Sequence, residues 1–246
     1  MRLAVLTDIH ANREAFQAVL DDAAAHGADR LVMLGDFVGY GPDPEWCCET
    51  AAELVAKGAI AVKGNHDSAA SGGTEAMSSL AGKAMDWTRG RLTAAHKAFL
   101  AGLPLTAGEG DALFVHASAS HPEAWSYVTS DTRAAPSFRA VTARVILCGH
   151  THVPLLANAD RSGMVREQTF RHHQPIPLIR SRRWLAVVGA VGQPRDGVAQ
   201  AGWAMLDTGR DELTFRRTAY DTGRTAAKVR AAGLPEELAL RLLKGK

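Results

Sequence analysis

Apolar and polar positions alternate in blocks along the first quarter of the chain. Residues 3–7 form a compact apolar run that predicts a buried strand. Asn12 then opens a helical stretch to about residue 26, with Phe16, Val19 and Leu20 at core-facing spacing and Gly27 as its stop. Residues 31–34 read as a second strand, about 44–57 as a second helix, and 59–62 as a third strand. This β-α-β-α-β order predicts a mainly parallel sheet with right-handed crossovers.

The pattern changes beyond residue 67. The stretch 68–110 is rich in small residues at first and then helical around Trp87 and Phe99, which predicts a helical insertion over the sheet edge. Strands return at 112–115 and 145–147. Short strands then follow at 168–170, 184–188, 202–206 and 213–217, the signature of a mostly antiparallel second sheet packed on the first. Residues 222–244 carry helical periodicity, broken at Gly233, Leu234 and Pro235. With no internal repeat or linker, the expected organisation is α/β in a single domain over 1–246, with a helical insertion and a helical C-terminal tail.

Charge narrows the partners. Twenty-eight lysines and arginines against 26 acids leave a net charge of +2, so nucleic acid is not indicated and no general pull toward anionic membrane is expected. The short basic run at Arg180, Arg182 and Arg183 reads as a solvated loop. No apolar run reaches the roughly 18 residues of a membrane span, and Asp8 follows the first residues too soon for a secretory h-region. Cys47, Cys48 and Cys148 are odd in number and two are adjacent, which suits a reducing cytoplasm better than a disulfide framework. None forms a C-x-x-C pair, so a thiolate zinc site is not expected. Oligomeric state leaves no trace in the pattern.

The candidate chemistry lies at strand ends. The first strand runs into Asp8 and His10, the second into Asp36, the third into Asn65, His66 and Asp67. Later strands run into His116 and into Gly149-His150-Thr151-His152. In an open α/β sheet the carboxyl ends of the strands share one edge, where ligands bind. Each piece alone is an ordinary turn or a buried histidine. Together, five loops deliver carboxylates, imidazoles and an amide to one crevice.

On these residues the chain resembles the calcineurin-like metallophosphoesterase superfamily. The shared motifs are Asp8-x-His10, Gly35-Asp36-x-x-Gly39, Gly64-Asn65-His66-Asp67, His116 and Gly149-His150-Thr151-His152. The segment from Val191 to Gly197 and the helical tail look like its small bacterial phosphodiesterase-like branch. The resemblance implies a four-layer α-β-β-α sandwich with two packed mixed sheets. It also implies two divalent transition-metal ions: Asp8, His10, Asp36 and His152 would hold one, and Asp36, Asn65, His116 and His150 the other. An oxygen and nitrogen shell of this kind suits manganese, iron, zinc, nickel or cobalt, and calcium is disfavoured because imidazole is a poor ligand for it.

Two ions about 3.5–4 Å apart lower the pKa of a water between them and offset charge on a phosphoryl group in line with it. That is the chemistry of a phosphoesterase acting on a small phosphate ester. Asp36 is expected to bind both ions through its two oxygens, and His66 to be the general acid for the leaving oxygen. Asn12, Tyr40 and Arg195 are candidate substrate contacts, although Asn12 serves equally well as a helix cap. Where phosphoprotein phosphatases of the superfamily place an aspartate and an arginine, this chain has Gly39 and Tyr40. That departure removes the usual partner of the histidine and a phosphate-gripping cation, and it favours diesters over monoesters. Alternative readings are a nucleotide phosphatase or dinucleoside polyphosphate hydrolase, or a scaffold without turnover. The full set of ligand residues argues against the scaffold. A metallopeptidase is disfavoured further by the lack of a His-Glu-x-x-His helix.

Overall fold

The computed structural model describes residues 1–246. Its elements run, in chain order, β1 (Arg2–Leu6), α1 (Arg13–Ala25), β2 (Arg30–Met33), α2 (Pro44–Ala56), β3 (Ile60–Ala61), α3 (Asn65–Ala70), α4 (Ser79–Arg91), α5 (Ala94–Gly102), β4 (Thr106–Glu109) and β5 (Ala112–Val115). They continue with α6 (Asp131–Ala140), β6 (Val145–Cys148), β7 (Leu155–Ala159), β8 (Val165–Glu167), β9 (Ile176–Pro177), β10 (Arg183–Val187), β11 (Ala201–Asp207), β12 (Glu212–Thr218), α7 (Thr222–Ala231) and α8 (Glu236–Lys244).

Two six-stranded mixed sheets pack face to face, in the orders β3-β2-β1-β11-β12-β9 and β4-β5-β6-β10-β7-β8. Leu3, Val5, Val32 and Leu34 of the first sheet meet Phe114, Leu147, Trp184 and Ala186 of the second in a continuous apolar layer. The outer face of the first sheet, with Leu6, Met33 and Trp203, is covered by Phe16 and Val19 of α1 and by Cys47, Cys48 and Ala51 of α2. The outer face of the second sheet is covered by Ala134 and Phe138 of α6. The result is the four-layer α-β-β-α sandwich.

The parallel β1-β2-β3 half agrees with the sequence pattern. The late strands do not. They form no sheet of their own: β11 pairs antiparallel with β1 and carries β12 beside it, while β10 pairs parallel with β6 and antiparallel with β7. The physical reason is visible in β11, which is buried along Ala201–Leu206 because helices cover one face and the second sheet the other. Residues 168–170 are not a strand; β8 ends at Glu167, and Phe170 stacks on Phe215 at 4.1 Å instead. Within the expected helical insertion, α4 and α5 contain Trp87 and Phe99, but β4 follows at Thr106–Glu109 as a hairpin with β5.

The basic run is corrected in part: Arg180 is exposed in a turn and pairs with Asp211, as a solvated loop implies, but its two neighbours are held. Arg183 does not reach into solvent: its guanidinium donates to the carbonyls of Phe138, Val141 and Ala143, and Arg182 bonds to the Asn158 side chain. All three cysteines are buried free thiols. No helix is long and apolar enough to cross a membrane.

Candidate metal centre

The loops after β1, β2, β3, β5 and β6 converge, and the backbone is bent to aim them. Asp8, His10, Asp36, His150 and His152 all have φ between 47° and 69°, the left-handed region. Non-glycine residues held there cost of order 1 kcal/mol or more each. Five such residues in one crevice are a local cost that the packed strands beneath them sustain.

Hydrogen bonds fix the imidazoles one by one. The Nδ1 of His10 lies 3.1 Å from the Val38 carbonyl, that of His116 2.7 Å from Leu34 O, and that of His152 2.6 Å from Gln193 O. Each ring therefore carries its proton on Nδ1 and turns a bare Nε2 into the crevice. His150 instead presents Nδ1, 3.1 Å from His116 Nε2. Its ring is held by a parallel stack on Tyr127 with centroids 4.2 Å apart.

The carboxylates sit among these nitrogens. Asp8 Oδ2 accepts the His150 N–H and the Thr7 hydroxyl, both at 2.9 Å. Its Oδ1 has no hydrogen-bond partner and lies 3.2 Å from His152 Nε2 and 3.7 Å from His10 Nε2. Asp36 Oδ2 lies 3.6 Å from His10 Nε2 and 3.4 Å from His116 Nε2. Asp36 Oδ1 is taken by the His66 backbone N–H at 2.8 Å, so a single oxygen, rather than both, faces the two groups of ligands. Asn65 Oδ1 lies 3.2 Å from His116 Nε2.

This donor set fits metal ions. His10 Nε2 and His152 Nε2 face each other at 3.0 Å with their protons committed elsewhere, so lone pair meets lone pair unless a cation lies against them. Asp8 Oδ1 is a buried acceptor with nothing to accept, a cost that a cation removes. The electrostatics leave most of these rings neutral, and at His116 a cation would displace the proton that Asp36 otherwise draws to Nε2. Against burial, the Asp36 carboxylate pushes His116 up to about 9, while burial draws His66 down to about 3 and His150 and His152 to about 4. Burial disfavours ionised Asp36 too, yet the surrounding imidazoles hold it well below the usual carboxylate range. Three groups of ligand atoms meet this way: Asp8 with His10 and His152, His10 with Asp36 and His66, and Asp36 with His116 and His150.

His66 occupies the second position of α3, its ring packed between Tyr40 (4.6 Å) and His10 (4.8 Å). Its Nδ1 is buried without a partner. A Cβ on Gly39, whose φ is +88°, would lie 2.3 Å from that nitrogen. Packing, not a hydrogen-bonded acid, orients this ring.

Of the softer candidates, Tyr40 and Arg195 line the crevice and Asn12 does not. The Asn12 amide is spent: Oδ1 accepts Ala15 N–H as the cap of α1, and Nδ2 donates to Gly192 O. Substrate contact by Asn12 is therefore withdrawn. Arg195 makes no turn with Asp196, which pairs with Arg217; its guanidinium donates to Gln193 Oε1 at 2.8 and 3.3 Å. His121, His172 and His173 lie outside the crevice, and Cys148 is core packing.

Four residues were given no role from sequence. Asp67, at the third position of α3, accepts the N–H groups of Asp36, Phe37 and Gly64. Its place in the Gly64–Asp67 run was the available signal. Gln193, Tyr127 and Arg241 reach the centre from distant loops and from α8, and nothing local marks them.

Residues 1–211 match the calcineurin-like phosphoesterase superfamily domain, and the chain belongs to that family. A metallophosphoesterase from Sphaerobacter thermophilus has the same fold with a TM-score of 0.89, at 38% identity over 100% of both chains. The uncharacterized protein MJ0912 of Methanocaldococcus jannaschii is 32% identical over 99% of this chain and 98% of its own. The hypothetical protein PH1004 of Pyrococcus horikoshii OT3 shares the fold at a TM-score of 0.78 and 18% identity, over 100% of this chain and 98% of its own.

Proposed function

We propose that residues 1–246 act as one metallophosphoesterase domain, a hydrolase of phosphoric esters that works with two divalent transition-metal ions. Asp8, His10, His152 and Asp36 would hold one ion, and Asp36, Asn65, His116 and His150 the other. The observation that supports this is the position of Asp36 Oδ2, 3.6 Å from His10 Nε2 and 3.4 Å from His116 Nε2, within reach of both proposed ligand groups. When bound, such ions would supply an activated water and neutralise phosphoryl charge.

The chain's own residues supply the rest. Carbonyls of Val38, Leu34 and Gln193 keep three imidazoles in the tautomer that offers Nε2. With Nδ1 turned to Gly39, His66 offers Nε2 to the leaving oxygen. Burial keeps His66 neutral, and the negative charge of a bound phosphate would favour its protonation again, as a general acid requires. The buried free thiols suit a reducing, cytoplasmic setting.

The test combines metal analysis with hydrolysis assays on wild type and Asp36→Asn. About two ions per chain and metal-dependent turnover are expected in wild type, with both reduced in the variant. Full activity in Asp36→Asn would remove the shared ligand and the mechanism with it.

A further inference from the structure

We propose that Arg195 and Arg241 form a cationic clamp on the cleft wall that reads a phosphate bearing two negative charges, making phosphomonoesters the preferred substrate class. This rests on the phosphoesterase reading above and specifies its substrate.

The two arginines stand out from the half-buried arginines elsewhere in the fold. Arg144 is held by Asp111, Asp211 and the Leu178 carbonyl, Arg183 by three carbonyls, and Arg217 by Asp196. Arg195 has no carboxylate within salt-bridge distance and donates only to the neutral Gln193 Oε1. The Arg241 guanidinium has no protein acceptor at all. Both line the same cleft as Asp36, His66 and His152. Asp36 is the only carboxylate of that lining; its Oδ1 accepts the His66 N–H, its Oδ2 lies 3.4–3.6 Å from two imidazoles, and neither arginine pairs with it. Unspent guanidinium donors facing a cavity are matched by an anion that offers a pair of acceptor oxygens to each fork, which tetrahedral phosphate supplies.

The backbone holds both residues in place. Arg195 N–H donates to His152 O at 3.2 Å, and Gln193 joins the Arg195 guanidinium to the His152 ring through its side-chain and main-chain oxygens. The Arg195 guanidinium carbon sits 5.5 Å from the Tyr40 ring centroid. Helix α8 buries Leu238, Ala239 and Leu242, and its end is stitched to the same loop by Gly197 N–H donating to Gly245 O at 2.8 Å. The tail thus delivers Arg241 to the same cleft as Arg195, across more than forty residues of sequence.

Charge and size then select the ester. A diester brings one negative charge to two guanidinium groups, and its second substituent must share the cleft, about 190 Å³, or its mouth with the first. A monoester dianion satisfies both guanidinium groups and leaves one alcohol to pass Ala76, Met77 and Tyr127 at the rim. The missing cation at Tyr40, which by sequence favoured diesters, is replaced from elsewhere in the chain.

The experiment measures kcat and KM for p-nitrophenyl phosphate and bis-p-nitrophenyl phosphate in wild type, Arg195→Ala, Arg241→Ala and Arg241→Lys. Binding of inorganic phosphate to the same metal-loaded proteins is followed by calorimetry. Wild type should prefer the monoester. Each alanine variant should lose about tenfold or more in monoester kcat/KM, chiefly through KM, with a clearly smaller loss on the diester. Phosphate affinity should fall in parallel, and Arg241→Lys should recover part of it. Equal losses on the two esters, or phosphate affinity indifferent to both arginines, would overturn the clamp. If wild type cleaves neither ester, the phosphoesterase reading fails, and the phosphate titration alone still decides whether the clamp exists.

Discussion

The Asp67 carboxylate accepts the backbone N–H of Asp36 at 2.7 Å, while Asp36 Oδ1 accepts the backbone N–H of His66 at 2.8 Å, so the loop after β2 and the start of α3 hold each other. The same carboxylate takes Phe37 N–H at 2.8 Å and Gly64 N–H at 3.0 Å. Burial first, and then the charge of Asp36, push Asp67 up to about 7, opposed by the Gly64 and Phe37 N–H donors and by the charge of His116. Asp67 touches neither group of metal ligands. It positions Asp36, the residue that both groups would share in the proposed centre.

Asp67→Ala should therefore weaken metal binding without removing a ligand. Partners of ligands at this remove typically contribute 10–100-fold in affinity, and a loss of about that size is expected here. Calorimetric titration with manganese or zinc would measure it. Unchanged affinity would show that the left-handed Asp36 needs no such brace.

His66→Gln should separate proton transfer from metal binding. General acid catalysis contributes about 10²–10⁴-fold, and only when the leaving oxygen needs a proton. Turnover of an alkyl phosphate should fall by that order, and turnover of a nitrophenyl ester by much less, with metal content retained. Equal losses on both leaving groups would assign His66 to the metal shell, where its proximity to His10 and Asp36 also places it.

Gly39→Ala tests how that ring is oriented. The added methyl would lie 2.3 Å from His66 Nδ1, at a backbone φ of +88° that side chains rarely adopt. The ring must move, so kcat should drop toward the His66→Gln level while the metal stoichiometry holds. Parallel metal analysis and kinetics would show whether the two variants coincide.

These residues also show how far the sequence could be read. The five strand-end motifs were legible because each ligand sits within a few residues of an apolar strand, and β1 through β3 follow one another in the order their periodicity predicts. The sharing-out of the late strands between two sheets was not legible. Both β10 and β11 are buried on two faces, so the apolar runs that mark them do not say which sheet they join. Arg241 was hidden for a related reason, since its role comes from where α8 docks and not from its neighbours in the chain. Asn12 misled in the opposite way: it stands beside the first motif, but its amide is consumed in capping α1.

Tyr127 offers a test of a contact that leaves no local pattern. It is 56% exposed and stacks on His150 at an interplanar angle of 16°. A stack of this kind is worth about 0.5–1.5 kcal/mol, so Tyr127→Ala should weaken metal binding by roughly two- to tenfold, and Tyr127→Phe should not. A phenylalanine variant as weak as alanine would point to the hydroxyl instead of the ring.

Metal binding should also be visible as stability. The crevice buries two carboxylates and five imidazoles together, with Asp8 Oδ1 unpaired and two Nε2 lone pairs opposed at 3.0 Å. A cation that binds only the folded chain relieves those contacts, and at a hundred times its Kd adds about 2.7 kcal/mol. For a chain of this size that is a rise of about 5–11 °C in Tm. Thermal unfolding with and without chelator would measure it, and Asp36→Asn should show a smaller rise because it weakens the atom that the proposed ions would share. A Tm indifferent to chelator would mean that the opposed imidazoles are relieved by protons, and that metal ions are not part of the folded state.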